Sequence, residues 1–280
     1  MFEEPYRWME AVSTRHNYVQ EKLKMGQPVL AVPYNEGLLI FGFAPQPGKI
    51  YEIYDRIALG GVGHPADVEK LRMNLLDMAH LEGFNRSAQD VTSTRLLQFG
   101  IAPALKQNFE EIQRAPYIIR LLLVELTEQG KPNFFRMNYD GHWETFKNGT
   151  AIAGDEKVMD WLQREIQQQP FESYTLDQAL QKAAKLWDES RKIKSKESED
   201  EKDNELPETL KEAFDQWYLE GAVLTEKSMS KANLSCQLNL YHIIFHYLFL
   251  QQREDISNYP SLASHLCENH VSYTQLTMPP

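Results

Sequence analysis

Cysteine and long hydrophobic runs are scarce in this 280-residue sequence. Its two cysteines, Cys236 and Cys267, form no CxxC pair, so neither a disulfide framework nor a thiolate zinc site is indicated. The longest apolar-biased run, from Leu238 to Leu250, is too short to span a membrane. The N-terminus has no apolar core of signal-peptide length. We therefore expect a cytoplasmic protein without a membrane partner.

Positive charge is also in short supply. The sequence has 29 Lys and Arg residues against 40 Asp and Glu residues, which gives a formal net charge of -11 at pH 7. Non-specific binding to nucleic acid needs clustered Lys and Arg that displace counterions from the phosphates. The charge balance argues against such binding, and we expect no nucleic-acid partner.

Patterns typical of metal ligands are weak. His242 and His246 have the i, i+4 spacing at which two histidines on a helix can share a metal, but no third ligand stands near them. A half-buried helix with two polar interruptions explains this spacing more simply. The acidic residues between 197 and 205 form a charge run, which is usually solvated. We expect no metal and no cofactor.

Two segments, residues 8–26 and residues 190–206, have distinctive sequence patterns. Apolar side chains recur at helical spacing at Trp8, Val12, Val19 and Leu23, and Gly26 then follows as a typical helix-terminating residue. This pattern predicts an N-terminal helix whose apolar stripe is a candidate contact surface. The stretch 190–206 is highly charged and poor in apolar residues, which predicts a mobile loop.

The order of the remaining elements favours an α+β layered domain. Strands are predicted in pairs joined by short polar turns, and hairpin-joined strands must pair antiparallel. Asp90 is the expected N-cap of a long helix that reaches about Arg114 and lies mostly buried, with Phe99 among its apolar residues. The predicted strands are 29–32, 38–43, 50–53, 57–59, 117–126, 133–139, 142–146 and 217–224, and the other helices are 65–83, 156–169 and 175–189. Two sheets between two helix layers satisfy this order.

Several segments together resemble α subunits of the proteasome core particle, and are most similar to the bacterial, actinobacterial type. These segments are Gly48 to Arg56 (GKIYEIYDR), Asp90 to Thr92, Asn138 to Gly141 and Thr175 to Leu180. The resemblance covers roughly residues 8–226. It implies an N-terminal nucleophile hydrolase-like fold, a four-layer αββα sandwich with an extra N-terminal helix.

The resemblance also divides the chain into three parts. Residues 1–26 correspond to a gate segment and helix, and residues 27–226 to the αββα domain. Residues 227–280 are poorly explained, and the end from His270 to Pro280 looks like a non-native translated segment. We therefore leave this tail out of the functional argument.

The sequence lacks the nucleophile that catalysis in this fold requires. Catalytic β subunits expose an N-terminal threonine whose own amine activates its hydroxyl. At the corresponding point stand Gly26, Gln27, Pro28 and Val29, none of which has a hydroxyl or thiol. The resemblance thus implies a non-catalytic chain that forms a heptameric ring. Its expected partners are proteasome β subunits, an ATP-dependent unfoldase or other ring activator, and unfolded protein substrates.

Two alternatives stay open at this point. One is a catalytic, proteasome-like threonine peptidase of the same fold, which would need a free N-terminal Thr, Ser or Cys at the first strand. The other is a monomeric α+β ligand-binding domain, which size-exclusion chromatography would distinguish from a ring.

By the same resemblance, Lys49 takes the place of a lysine that binds the C-terminal carboxylate of an activator tail in a pocket between neighbouring subunits. Gly26 and Gly63 fall where the main chain approaches the tail, and Tyr18 and His64 fall at neighbouring positions. From the sequence alone, a lysine after Pro-Gly is more often solvated at the beginning of a strand, and both glycines are as easily ordinary turn residues.

Overall fold

The computed structural model of the chain describes residues 5–45, 48–195 and 217–225. The helices are α1 (Pro5–Leu23), α2 (Pro65–Asn85), α3 (Ser93–Arg95), α4 (Ala102–Glu110), α5 (Glu156–Gln167) and α6 (Leu176–Ser195). The strands are β1 (Val29–Tyr34), β2 (Gly37–Ala44), β3 (Ile50–Tyr54), β4 (Ile57–Gly63), β5 (Ile119–Leu126), β6 (Pro132–Asn138), β7 (Trp143–Phe146), β8 (Thr150–Ile152) and β9 (Tyr218–Thr225).

The strands form two antiparallel sheets. One has four strands in the order β8-β1-β2-β9, and the other has five in the order β3-β4-β5-β6-β7. Every neighbouring pair is antiparallel, as hairpin-joined strands require. All eight strands predicted from the sequence are therefore present, with ends that differ by up to two residues except in β4, which continues four residues beyond the predicted end, and β8 was not predicted as a strand.

The two sheets pack face to face over an apolar layer. On β4, Ala58 and Val62 point into this layer, whereas Ile57 and Leu59 point to the opposite face. This alternation follows from the two-residue period of a strand. The layer between the sheets contains Val29, Ala31, Leu38 and Ile40 from one sheet and Ala58, Val62, Leu122, Val124 and Phe134 from the other.

Helices cover both outer faces. α2 and the segment from α3 to α4 pack on the five-stranded sheet, where Leu71, Leu75 and Leu97 join Leu121 and Leu123 in one cluster. α5 and α6 pack on the four-stranded sheet, since α5 contacts β8 and α6 contacts β1 and β2. The predicted four-layer αββα sandwich with an additional N-terminal helix is confirmed.

The predicted long helix from Asp90 to Arg114 is wrong in its start and in its continuity. Asp90 lies in a short 3₁₀ turn and accepts a hydrogen bond from Ser87 Oγ at 2.9 Å, while Thr92 caps the following helix through Arg95 N. A π-helical turn, Leu96–Ile101, then interrupts the α-helical register. The wider turn leaves Phe99 68% exposed under the guanidinium of Arg95, so this side chain is not buried as predicted.

The apolar stripe of α1 also differs from its predicted role. Val19 and Leu23 are fully or almost fully buried in the core of this chain, so they are not free to contact another subunit. Trp8 is 42% exposed and remains available. A hydrogen bond also holds α1 against the domain, because Arg15 Nη2 donates to Asn108 O at 2.9 Å. The stripe therefore anchors α1 to its own domain.

The charged loop predicted at 190–206 starts too early. α6 continues to Ser195, and Ser190 is fully buried with its hydroxyl donating to Trp187 O at 2.7 Å. A serine that satisfies its hydroxyl on the preceding turn can remain in a helix, which explains the extension. Residues 196–206 and the tail 227–280, with both cysteines, His242 and His246, lie outside the described residues.

Trp187 joins α6 to the beginning of β1. Its ring is fully buried, lies 4.5 Å from the Phe43 ring between centroids, and carries the Arg191 guanidinium at 4.9 Å. Its indole Nε1 donates to Pro28 O at 3.1 Å. The side chain thus contributes apolar burial and also satisfies a buried main-chain carbonyl.

We expect Trp187→Phe to lower the free energy of unfolding by about 1–3 kcal/mol, because the Pro28 carbonyl loses its buried donor. Trp8→Phe is the matched control, since the half-exposed Trp8 should change stability by less than about 0.5 kcal/mol. Denaturant titration followed by circular dichroism measures both. Equal effects of the two substitutions would contradict the role assigned to Trp187.

Candidate functional site

Lys49 lies directly before β3 and points inward. Lys49 is only 9% exposed, and its Nζ donates to Gln27 O at 2.6 Å and to Phe43 O at 3.0 Å. The simpler interpretation of the sequence, a lysine solvated at the beginning of a strand, is therefore wrong. The two acceptors come from the segment before β1 and from β2, so the lysine ties three parts of the chain together.

The ammonium of Lys49 retains one unused donor. A lysine ammonium carries three N–H groups. Within the described residues, the carbonyls of Gln27 and Phe43 are the acceptors that Nζ contacts. Burial lowers the pKa of Lys49 to about 7, and the negative charge of Glu220 opposes this shift. The site thus holds a poorly solvated positive charge, and two of its three N–H groups have acceptors among the described residues.

Glu220 was missed by the sequence argument. This β9 residue is 7% exposed, and its carboxylate accepts main-chain hydrogen bonds from Gly48 N at 2.5 Å, Lys49 N at 2.7 Å and Ile50 N at 2.9 Å. Three successive N–H groups thereby converge on one carboxylate. The available signal was a single acidic residue inside the apolar run of β9, which is a costly choice unless the charge has partners.

Gly26 and Gly63 lie beside Lys49 through close main-chain packing. A Cβ on Gly26 would stand 2.3 Å from Val62 Cγ1, and Gly26 O accepts from Gly154 N at 2.9 Å. Gly63 has a φ of +134°, and a Cβ there would stand 2.0 Å from Ile118 O. Both positions therefore require glycine. Because Gly26 precedes Gln27 and Val62 precedes Gly63, the two glycines and Lys49 form one continuous cluster.

His64 extends this cluster, whereas Tyr18 stands apart. His64 is exposed and caps α2, with its Nδ1 accepting from Ala66 N at 3.3 Å and its own N donating to Ile118 O at 2.8 Å. Tyr18 is 47% exposed on α1, where the Lys22 ammonium lies 5.8 Å from its ring centre. Among the described residues, no hydrogen bond or ring contact joins Tyr18 to the other four predicted site residues. Sequence adjacency and packing thus bring four of the five together.

Arg120 is a second buried cation that the sequence argument missed. It is 0% exposed, and Nη1 donates to Ala153 O at 2.7 Å and Gly154 O at 3.0 Å. Nη2 reaches Glu156 Oε1 at 3.0 Å and Gln20 Oε1 at 3.3 Å. Burial lowers the pKa of Arg120, and the Glu156 carboxylate opposes this. Its signal was an arginine within the apolar run of β5.

The start of β1 contains no exposed amine. The chain passes from α1 through Gly26, whose N donates to Leu23 O at 2.7 Å, into Gln27 and Pro28. Gln27 is 9% exposed, and the Pro28 carbonyl is bonded to Trp187 Nε1. An N-terminal nucleophile of the kind that this fold uses for catalysis is therefore not formed at this junction.

A cavity lies elsewhere in the molecule. Its volume is about 670 Å³, and it is lined by residues of the β1–β2 and β5–β6 turns, among them Asn35, Gly130 and Lys131. These turns stand at the far end of β1 from Gln27 and Lys49. Within residues 5–45, 48–195 and 217–225, no cluster of three or more His, Cys, Asp or Glu side chains could hold a metal ion. Over the same residues, no helix has the length and apolarity to cross a membrane.

Comparison with known proteins is consistent across several bacteria. The chain is 28% identical over 183 residues to proteasome subunit alpha of Mycolicibacterium smegmatis, which covers 63% of this chain and 70% of the relative. It is 29% identical over 148 residues to the Nocardioides sp. protein of the same name, with coverage of 52% and 57%. For Mycobacteroides abscessus the identity is 28% over 175 residues, with coverage of 60% and 64%. The chain thus spans less than two thirds of the length of two of these relatives.

A family model described as proteasome subunit matches residues 42–200, which is more than half of the sequence. The matched range includes Lys49, Gly63 and His64. Together with the actinobacterial relatives, this match shows that the chain belongs to the proteasome subunit family and is an alpha subunit of the bacterial type.

Proposed function

We propose that the chain is a cytoplasmic, non-catalytic subunit of a seven-membered α ring that admits unfolded proteins to a bacterial proteasome core particle. The ring stacks on catalytic β subunits and docks an ATP-dependent activator through pockets between neighbouring subunits. The observation that carries the proposal is the buried Lys49 ammonium, whose acceptors among the described residues, Gln27 O and Phe43 O, satisfy two of its three N–H groups.

A chain-terminal carboxylate is the ligand that this site fits best. Two main-chain carbonyls fix the direction of Nζ, so its position is set before a ligand arrives. A charge-assisted bond in a partly desolvated site is stronger than a neutral hydrogen bond in water. The nearest main-chain donors, Gly48 N to Ile50 N, already bind Glu220, so the tail depends mainly on Lys49.

The chemistry at the start of β1 supports a non-catalytic role. Neither Gln27 nor Pro28 carries a nucleophile, and α1 continues into β1 without a free amine. The alternative of a threonine peptidase would need hydrolysis from a different site. Two buried groups close to this junction, Lys49 and Arg120, are cations that donate to main-chain carbonyls, and the buried hydroxyl of Ser190 donates to Trp187 O.

The exposed apolar residues of α1 support assembly with other chains. Trp8, Met9 and Tyr18 are 42%, 63% and 47% exposed, although such side chains are usually buried. A ring formed by a heterologous contact must present complementary patches on two sides of each subunit. We assign these exposed side chains of α1 to the ring contact in place of Val19 and Leu23, which are buried in their own domain.

Lys49→Ala should weaken activator docking by about 2–5 kcal/mol, at least roughly 30-fold in affinity, because a partly buried carboxylate would lose its partner. The probe is a fluorescent peptide with the C-terminal sequence of the candidate unfoldase, titrated onto assembled particles by polarisation. Lys106→Ala is the matched control, because Lys106 is exposed on α4 and pairs with Glu110. A peptide amide should bind weakly to all three proteins, and unchanged affinity in Lys49→Ala would refute the site.

Docking should also weaken as the pH rises. Burial lowers the pKa of Lys49 to about 7, so the free site loses its positive charge above that pH. A bound carboxylate favours the ammonium and raises its pKa. Affinity is therefore highest below about pH 7 and falls as the pH rises toward the pKa of the complex. The same peptide, titrated from about pH 6 to 9, remains ionised throughout. A flat profile would contradict this dependence.

The purified chain should form seven-fold rings, alone or with β subunits, and should not cleave fluorogenic peptides by itself. Negative-stain electron microscopy and a peptidase assay with a threonine-directed inhibitor test the two statements on the same preparation. Inhibitor-sensitive cleavage by the chain alone would favour the catalytic alternative. A monomer in the presence of β subunits would favour the ligand-binding alternative.

A further inference from the structure

We propose that Glu220 is the positioning residue of the Lys49 site: its carboxylate fixes the start of β3 and supplies the negative charge that holds the Lys49 amine in its ammonium form. This inference rests on the proposed docking function, but its main test does not require docking.

Glu220 holds one short segment of the main chain in place. Its two carboxylate oxygens accept from three consecutive main-chain N–H groups, those of Gly48, Lys49 and Ile50. A carboxylate that accepts several such hydrogen bonds is held in one orientation by its donors. The segment from Gly48 to Ile50 therefore takes its direction from a strand that is 170 residues later in the sequence.

The same sheet carries the acceptors of the lysine. In the pairing of β2 with β9, Phe43 stands opposite Leu219, and Glu220 stands opposite Gly42. Phe43 O accepts from Lys49 Nζ, so the carboxylate and the carbonyl that direct the lysine are held in one register. A displacement of β9 would move the Gly48 to Ile50 segment relative to Phe43 O. Position and charge are thereby controlled by one strand pair.

Glu220 supplies a negative charge near Lys49 while its carboxylate oxygens accept hydrogen bonds from the main chain. Among the described residues, it is the group whose charge acts on Lys49 and favours the ammonium, while burial favours the neutral amine. On α2, Glu69 and Arg72 pair with each other and act on Tyr51, and the charge of Asp55 acts on Glu52 of β3. The oxygens of Glu220 bind main-chain donors and not Nζ. The third N–H of the ammonium therefore stays available for an incoming carboxylate.

The two contributions can be separated by substitution. Glu220→Gln keeps the shape and one acceptor oxygen but removes the charge. Glu220→Asp keeps the charge on a shorter side chain. Glu125→Gln is the matched control, because Glu125 is a buried strand glutamate on β5 that accepts from Ser93 N and is not a partner of Lys49. Circular dichroism and melting curves establish that each variant is folded.

The direct measurement is the ionisation of Lys49 in the full-length chain. Competitive acetylation with acetic anhydride, read by mass spectrometry at a series of pH values, gives the midpoint at which the Lys49 amine becomes reactive. We expect Glu220→Gln to lower this midpoint by about one unit, and Glu220→Asp and Glu125→Gln to leave it within about half a unit of the wild type. An unchanged midpoint in Glu220→Gln would overturn the inference.

A second outcome covers the case in which Glu220→Gln fails to fold. Glu220→Asp then decides the question, because retained charge should preserve the midpoint even if the melting temperature falls. A drop of about one unit in Glu220→Asp would contradict a charge role. The peptide titration separates the two proposals. If no peptide binds the wild type at any pH, the docking function fails, while the acetylation midpoints still test Glu220.

Discussion

The burial of the Arg120 guanidinium is the constraint on which one end of the molecule depends. An arginine remains charged at any pH that a cell meets, so its burial between two sheets must be compensated by acceptors. Ala153 O and Gly154 O supply them, and both belong to the segment that leads from β8 into α5. Gly154 N in turn donates to Gly26 O. The position of the α1–β1 junction therefore follows from where the arginine finds its acceptors.

Lys49 lies next to this junction but behaves differently. Its amine can lose a proton, and burial lowers the pKa of Lys49 to about 7. Burial also lowers the pKa of Arg120, but an arginine stays protonated in proteins. The two side chains therefore have different roles. Arg120 holds the main chain in place under all conditions. Lys49 presents a charge that depends on its surroundings, which is the property that a docking residue with adjustable affinity requires.

Much of the fold could be predicted from the sequence, because strand alternation and polar turns are local signals. The hairpins β1–β2 and β5–β6 are examples, since each contains its own turn residues and its own apolar face. The π-helical turn at Leu96–Ile101 could not be predicted, since its register is set by packing against α2, where Gly100 approaches the Met78 side chain. Helix propensity does not contain that information.

The candidate site was predictable only in part for the same reason. Lys49 and Gly63 stand within one segment that resembles a known family, but its resemblance did not reveal that the lysine is buried. That depends on Gln27 O and Phe43 O, which are distant in sequence or belong to another strand. The role of Glu220 could not be recognised from the sequence, because its partners are main-chain N–H groups, which nearly every residue has. Only the pairing of β9 with β2 brings them together.

The segment Gly26-Gln27-Pro28 links the α1–β1 junction to the position of Lys49. Its three successive carbonyls each accept a different donor: Gly154 N at Gly26, Lys49 Nζ at Gln27 and Trp187 Nε1 at Pro28. A catalytic chain of this fold would need a free terminus at this point, so that an amine could activate a hydroxyl. Cutting the chain here would separate α1 from the domain and disturb the carbonyl that orients Lys49. In this chain, the uninterrupted α1–β1 junction leaves no free amine at β1 and at the same time fixes the carbonyl that orients Lys49.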